Sequence, residues 1–344
     1  MSKKVLVLIG VCIILLSSIL AGCSSNSSNN SGKATNEVGI YSEVKNNLTN
    51  SNEKILKALV ITELKSFDYS SARATVDEAV KTNKALLEKL EGVNPKRGYE
   101  ERHKYFIGLL KREIHLYSLL GELIISPYNH RYVLSEVKKA NNEIMLNIER
   151  LDIEGLDLSE LKKTSEFIIR VEEFGRLVKN IPQVTMDDIT FMGLNVDSKA
   201  EDVQSKLKST AIIENIPVNY NYTGSKAIAE LYKTYDEGIG LVYLKTHQFR
   251  EASSMAKETR FIDRIYITKP EVKTVRGVSL GDSIVKMFYL YPYQEGHKFN
   301  RHSDLKALRA YRWEVKNRGL NPALIIYVDD STNKIVEIYS EKPI

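Results

Sequence analysis

The sequence predicts an α+β protein, with an N-terminal antiparallel helical bundle followed by a tandem-repeat α+β domain built on an antiparallel sheet. Three observations carry this prediction. From Ile40 to Asn180 apolar residues recur at spacings of three and four, which places an apolar face on each of several long helices. After Pro182 the pattern changes to short β-rich runs separated by shorter helical stretches. Within that second half, two stretches resemble each other.

Taken in order, the chain opens with Met1-Ser2-Lys3-Lys4, an apolar run from Val5 to Leu16, and small residues up to Cys23. A short positive region, an apolar stretch too short to span a bilayer and small residues at a cut site describe a secretory signal. Leu20-Ala21-Gly22-Cys23 closely resembles the lipobox of bacterial lipoproteins. That resemblance implies removal of residues 1–22, a diacylglycerol on the Cys23 thiol, and a lipid-anchored protein at the extracytoplasmic face of the cell membrane. The only other cysteine, Cys12, lies in the removed segment. No disulfide, thiolate metal site or cysteine nucleophile is therefore expected. Residues 23–36, rich in Ser and Asn, read as a tether with a typical span of roughly 20 Å. The formal charge of +5 falls to about +3 once Lys3 and Lys4 leave. So mild an excess is no nucleic-acid footprint, and at most it draws the protein weakly toward an anionic membrane surface.

Residues 37–182 read as the bundle of about five helices. After a helix around Ile55 to Leu64 comes one carrying Val76, Val80, Leu86 and Leu90, ended by Gly92 and Pro95. The next carries Phe106, Leu110, Ile114, Tyr117, Leu120 and Ile124 and stops at Pro127. Two more carry Val133, Val137, Ala140, Ile144 and Ile148, then Leu161, Ile168, Val171, Phe174 and Val178. Short connections force neighbours to run in opposite directions.

Residues 183–344 read as two copies, about 185–270 and 273–344. Gly193-Leu194-Asn195-Val196-Asp197-Ser198 resembles Gly277-Val278-Ser279-Leu280-Gly281-Asp282-Ser283, with Gly281 as an extra residue. Leu241-Val242-Tyr243-Leu244 lines up with Ile325-Ile326-Tyr327-Val328, and Phe261 to Pro270 with Lys334 to Pro343, where half of the positions are identical. The first copy then carries an insertion between Leu244 and Arg260, where the second has the hairpin Asp329 to Asn333. This alignment makes Ser198 and Ser283 equivalent helix caps, Tyr243 and Tyr327 equivalent strand residues, and Ile265 and Ile338 equivalent final-strand residues. The pattern Gly277-Val278-Ser279-Leu280-Gly281-Asp282-Ser283, then Val285 and Met287, resembles the tandem modules of β-lactamase-inhibitory-protein-like domains and the BamE (SmpA/OmlA) envelope lipoproteins. That resemblance covers only the second half. It implies small helices packed on an antiparallel sheet whose open face or loops bind another protein.

Chemical motifs are sparse. Gly281-Asp282-Ser283 has the letters of a serine-hydrolase motif, but the Asp-x-x-His pair such enzymes carry near the end is absent, and a helix cap explains the same residues. His297 and His302, with Glu295 and Asp304, have the composition of a metal site but lie in a polar stretch without helical spacing. His103 and His115 are too far apart on one helix to share an ion. Tyr289, Tyr291, Tyr293, Tyr311 and Trp313 alternate along the chain, which fits either core rings or an aromatic contact surface. No phosphate-binding glycine loop or paired-acid constellation is present. The expectation is a non-enzymatic binding or scaffolding lipoprotein of the cell envelope, with no cofactor, no metal, no nucleic acid and an unidentified protein partner. An inhibitor or modulator of an envelope hydrolase is the alternative, and an enzyme of unrecognised type comes third.

Overall fold

The computed structural model describes residues 32–151, 156–196, 198–207, 212–214, 218–219, 227–235, 237–246, 259–300, 307–316 and 321–342. It is a mixed helix-and-sheet protein. Five long helices come first: α1 (Gly32–Ala58), α2 (Tyr69–Glu91), α3 (Glu100–Ile125), α4 (His130–Arg150) and α5 (Ser165–Lys179). Their ends are set locally. Asp68 accepts a hydrogen bond from Ser71 N (2.9 Å) at the start of α2, satisfying a donor that the helix leaves free. Pro127 opens a 3-10 turn that separates α3 from α4. The structure lengthens the first helix relative to expectation. It begins at Gly32, within the stretch read as tether, and ends at Ala58, leaving Leu64 in a 3-10 turn.

Side-chain pairs fix the helix directions. Glu43 meets Lys89 (2.5 Å) and Ser51 meets Asn83 (3.1 Å), so α1 and α2 are antiparallel. Arg73 reaches Gly121 O on α3 (2.9 Å), Lys138 on α4 meets Glu172 on α5 (3.0 Å), and Arg112 on α3 pairs with Glu143 on α4. Parallel α1 and α3 share buried polar contacts, Tyr41 with His103 (2.9 Å) and Tyr117 with Asn52 (2.7 Å). One end of the helices therefore carries residues 59–68, 126–129 and 180–182, and the other carries Gly32 and residues 92–99, 151 and 156–164. The predicted apolar stripes form one core with Phe106, Leu110, Val137, Ile144, Phe167 and Phe174 at its centre.

The second half adds α6 (Ala200–Lys206), α7 (Ile284–Leu290) and strands that include β1 (Ile212–Glu214), β2 (Val218–Asn219), β3 (Ala227–Tyr235), β6 (His297–Asn300) and β7 (Ala307–Glu314); among the described residues they build a nine-stranded antiparallel sheet of order β1-β3-β4-β5-β9-β8-β7-β6, with β2 paired to β3. Four strands matter most: β4 (Ile239–Thr246), β5 (Thr259–Ile267), β8 (Ala323–Asp329) and β9 (Lys334–Glu341). Sheet order runs β3-β4-β5 from one side and β7-β8-β9 from the other, and β5 meets β9 in the middle with Tyr266 opposite Tyr339. Both outer pairings carry a bulge, between Val242 and Tyr243 and between Tyr327 and Val328, so that Asp263 and Val336 are the extra residues. One face of the sheet buries Leu241, Ile265, Trp313, Ile326 and Ile338 against Val203, Leu207 and Met287 from the helical side.

Two expected equivalences shift by one residue. Ser283 caps α7, its hydroxyl accepting from Val285 N (3.1 Å). In α6, however, Lys199 holds the cap position, while Ser198 accepts from Asn195 N (3.0 Å) as Asp282 accepts from Ser279 N (2.8 Å). The two turns thus match without a gap, both glycines that open them sit at positive φ (Gly193 +76°, Gly277 +87°), and Gly281 is not an extra residue. In the strands, Gly240 faces Tyr266 and Ile325 faces Tyr339. This pairs Val242, not Tyr243, with the place of Tyr327. Sequence likeness misses such a slip because similar letters tolerate it, whereas the pleat does not: one residue moves every side chain to the other face.

Candidate functional site

Of the five aromatic residues that fitted either core rings or a contact surface, four are core. Tyr289 lies in the last turn of α7 and is only 3% exposed. Its ring stacks near Phe67 (5.5 Å) and Tyr69 (5.6 Å) of the helical half, and its hydroxyl donates to Ile124 O (2.8 Å). Burial drives that hydroxyl's pKa well above the ordinary tyrosine value. Tyr291 is fully buried on the sheet side, 5.0 Å from Trp313, and its carbonyl accepts from the Tyr128 hydroxyl. Trp313 donates to Pro292 O (2.9 Å) and Tyr311 stacks beside it, both on the core face of β7 (Ala307–Glu314). Only Tyr293 is exposed, at 66%. The alternation misleads because the chain leaves the helix at Tyr291, where the backbone turns extended (φ −115°, ψ 149°). Tyr289 and Tyr291 consequently enter two different cores.

Arg276 fastens the same junction. Its Nε and Nη2 contact the two Asp188 oxygens (2.5 and 2.9 Å), and its remaining donors reach Pro182 O, Leu290 O and Gln183 O (2.9, 2.9 and 2.8 Å). The guanidinium also lies 5.0 Å from the Tyr291 ring centre. A planar five-donor fork suits such a site, where a lysine would leave carbonyls unpaired.

The sheet face opposite α6 and α7 has a different character. Ala323, Ile325 and Tyr339 form an apolar cluster there with the half-buried Tyr266 and Tyr327, and every member of it is a strand residue. Tyr339 stands between the other two rings, 4.9 Å from Tyr266 and 6.0 Å from Tyr327. Arg264 lies over Tyr339 at 5.8 Å, with its Nε 3.6 Å from Glu341 and 3.4 Å from Asp263. Arg312 pairs with the same Glu341 from β7. Burial pushes the Asp263 carboxyl pKa up, and Arg264 opposes that shift. Half-buried Tyr266 and Tyr327, flanking the buried Tyr339 and bordered by ion-paired arginines, make an amphipathic surface.

No family model, curated protein or solved structure matches the chain.

Other predicted positions fall as follows. Cys23, His302 and Asp304, and the insertion at 247–258, lie outside the described residues. His103 is buried against Tyr41, and His130 has its pKa lowered by burial while its Nδ1 sits 3.3 Å from Pro127 O. His115 is exposed, and His297 opens β6 (His297–Asn300). Among the described residues, no three metal-type side chains come together and no helix is long and apolar enough to cross a membrane. Sequence reading missed Arg276, Arg264 and Glu341 as contact-forming groups. The one usable signal was the identity Ile-Tyr shared by 265–266 and 338–339.

Proposed function

We propose that the chain is a non-enzymatic, lipid-anchored binding protein at the extracytoplasmic face of a cell membrane, and that the outer sheet face docks another envelope protein. The observation that carries this reading is the patch formed by Tyr266, Tyr339, Tyr327, Arg264 and Arg312 around the β5–β9 pair. Tyrosine and arginine dominate binding hot spots because each offers large contact area together with directed polar groups. The ion pairs hold the arginines in place beforehand, which lowers the ordering cost of binding. The lipobox resemblance at Cys23 supports the anchor, and the resemblance to inhibitory-protein and BamE-type modules supports the sheet face. We read the helical half as an antiparallel bundle and the second half as a tandem repeat. The matching turns, bulges and central strand pair support the repeat.

The test is site-specific photo-crosslinking in intact cells, with the photoreactive residue at Tyr327 on the patch or at Leu146, an exposed position on α4. A discrete protein adduct from position 327 and none from 146 is expected. Equal labelling at both, or none at 327, would remove the basis for the reading. A captured hydrolase whose activity falls on binding would favour the inhibitory alternative.

A further inference from the structure

Where the 3-10 turn Leu64–Ser66, the end of α5 and the segment before α7 meet, they leave a cleft of about 730 Å³. Its walls are Leu64, Leu177, Ile181, Pro182, Val275 and Leu290, and Tyr289 lies at its base. The cleft is separate from the outer sheet face, which shares none of these residues. Its size falls in the range of small-molecule sites, which favour junctions of this kind and are mostly apolar.

The chemistry of its charged members narrows the occupant. Arg276 borders the cleft but has all five donors engaged within the protein, and Asp188 accepts from Arg276 and from Thr185 N (2.8 Å). Neither group is free to hold a charged ligand without breaking the junction, and the other charged lining residues, Glu63, Lys65 and Asp187, are exposed, where solvent screening leaves an ion pair worth little. The Tyr289 hydroxyl is likewise committed to Ile124 O. What the cleft offers is apolar surface: Leu64, Leu177 and Leu290 are only half-buried, and Val275 is 65% exposed at the mouth. Covering such surface takes apolar area out of water, which is favourable. We propose that this cleft binds an uncharged, apolar small molecule, of the class of a hydrocarbon chain or fused ring.

The experiment titrates the full chain carrying Cys23→Ala, so that no attached lipid competes, with the neutral fluorophore N-phenyl-1-naphthylamine. Saturable binding of one probe per chain is expected, displaced by 1-dodecanol at least tenfold more effectively than by dodecanoate. Val275→Trp, which fills the mouth, and Leu177→Glu, which charges a wall, should each weaken binding tenfold or more with the circular dichroism unchanged. Leu146→Ser, on the far surface of α4, should leave it within twofold. Absence of saturable binding overturns the proposal, as does binding indifferent to both cleft substitutions. Dodecanoate matching or exceeding dodecanol overturns the uncharged class.

Discussion

Glu113 is fully buried in the helical core on α3, where Asn52 Nδ2 lies 3.5 Å from one carboxyl oxygen and the other oxygen has no hydrogen-bond partner among the described residues. Burial pushes its pKa from 4.5 up to about 8, against the lowering effect of Asn52 and Tyr117. The folded state therefore keeps a proton that the unfolded chain gives up. Its stabilising effect is complete below pH 4.5 and is lost as pH rises toward 8, at about 1.4 kcal/mol per pH unit. Glu113→Gln should flatten that dependence, seen as urea midpoints that change less between pH 5.5 and 8 than in the parent; parallel curves would argue against a buried neutral acid. At the junction, Arg276→Ala strands the Asp188 carboxylate, which is only 3% exposed. Breaking a buried pair this way costs about 3–5 kcal/mol, whereas Ser283→Ala should cost about 1 kcal/mol as the loss of a helix cap. Denaturant titration of both variants checks the contrast. A lost turnover in folded Ser283→Ala would instead reveal an enzyme.

At the scale of elements, the helices were legible because their signal is local: three- and four-residue spacing plus Pro and Gly punctuation names a face and its ends. Strand positions at 239–246 and 323–329 were legible for the same reason. Register was not, since Tyr243 aligned to Tyr327 looks as good as the true neighbour and only the ladder distinguishes them. Burial of single polar residues such as Glu113 and Arg276 depends on contacts with segments far along the chain, and no local pattern announces it. The central strands allow a direct check. Ile265 on β5 and Ile338 on β9 are both fully buried, so alanine at either should cost about 2–5 kcal/mol, measured by chemical unfolding. One costly and one silent substitution would break the proposed equivalence. Helix α7 carries a second consequence, because Tyr289 belongs to the helical core while Met287 belongs to the sheet core. Removing that ring should cost about 3–5 kcal/mol and loosen the halves from each other. Calorimetry should then show one transition in the parent and two in Tyr289→Ala; a single shifted transition would mean that other contacts carry the coupling.

With lipid on Cys23 as proposed, Cys23→Ala should free the protein from membranes, and fatty-acid labelling of cells checks it: equal label in variant and parent would refute the anchor. Among the described residues, contacts between the halves gather at one end of the helices, around Phe67, Ile124, Tyr128 and Phe174, while α1 starts at the opposite end. The 27 residues of α1 span about 40 Å at 1.5 Å per residue. On the proposed anchor, the helical half would act as a mast with the sheet at its far end. Charge is screened over about 8 Å in physiological salt, so on the proposed anchor, with the helices upright, the sheet would lie beyond the field of the lipid phosphates. In that proposed arrangement, a partner for the tyrosine face would be one that itself projects tens of ångströms from the membrane, or lies across that gap.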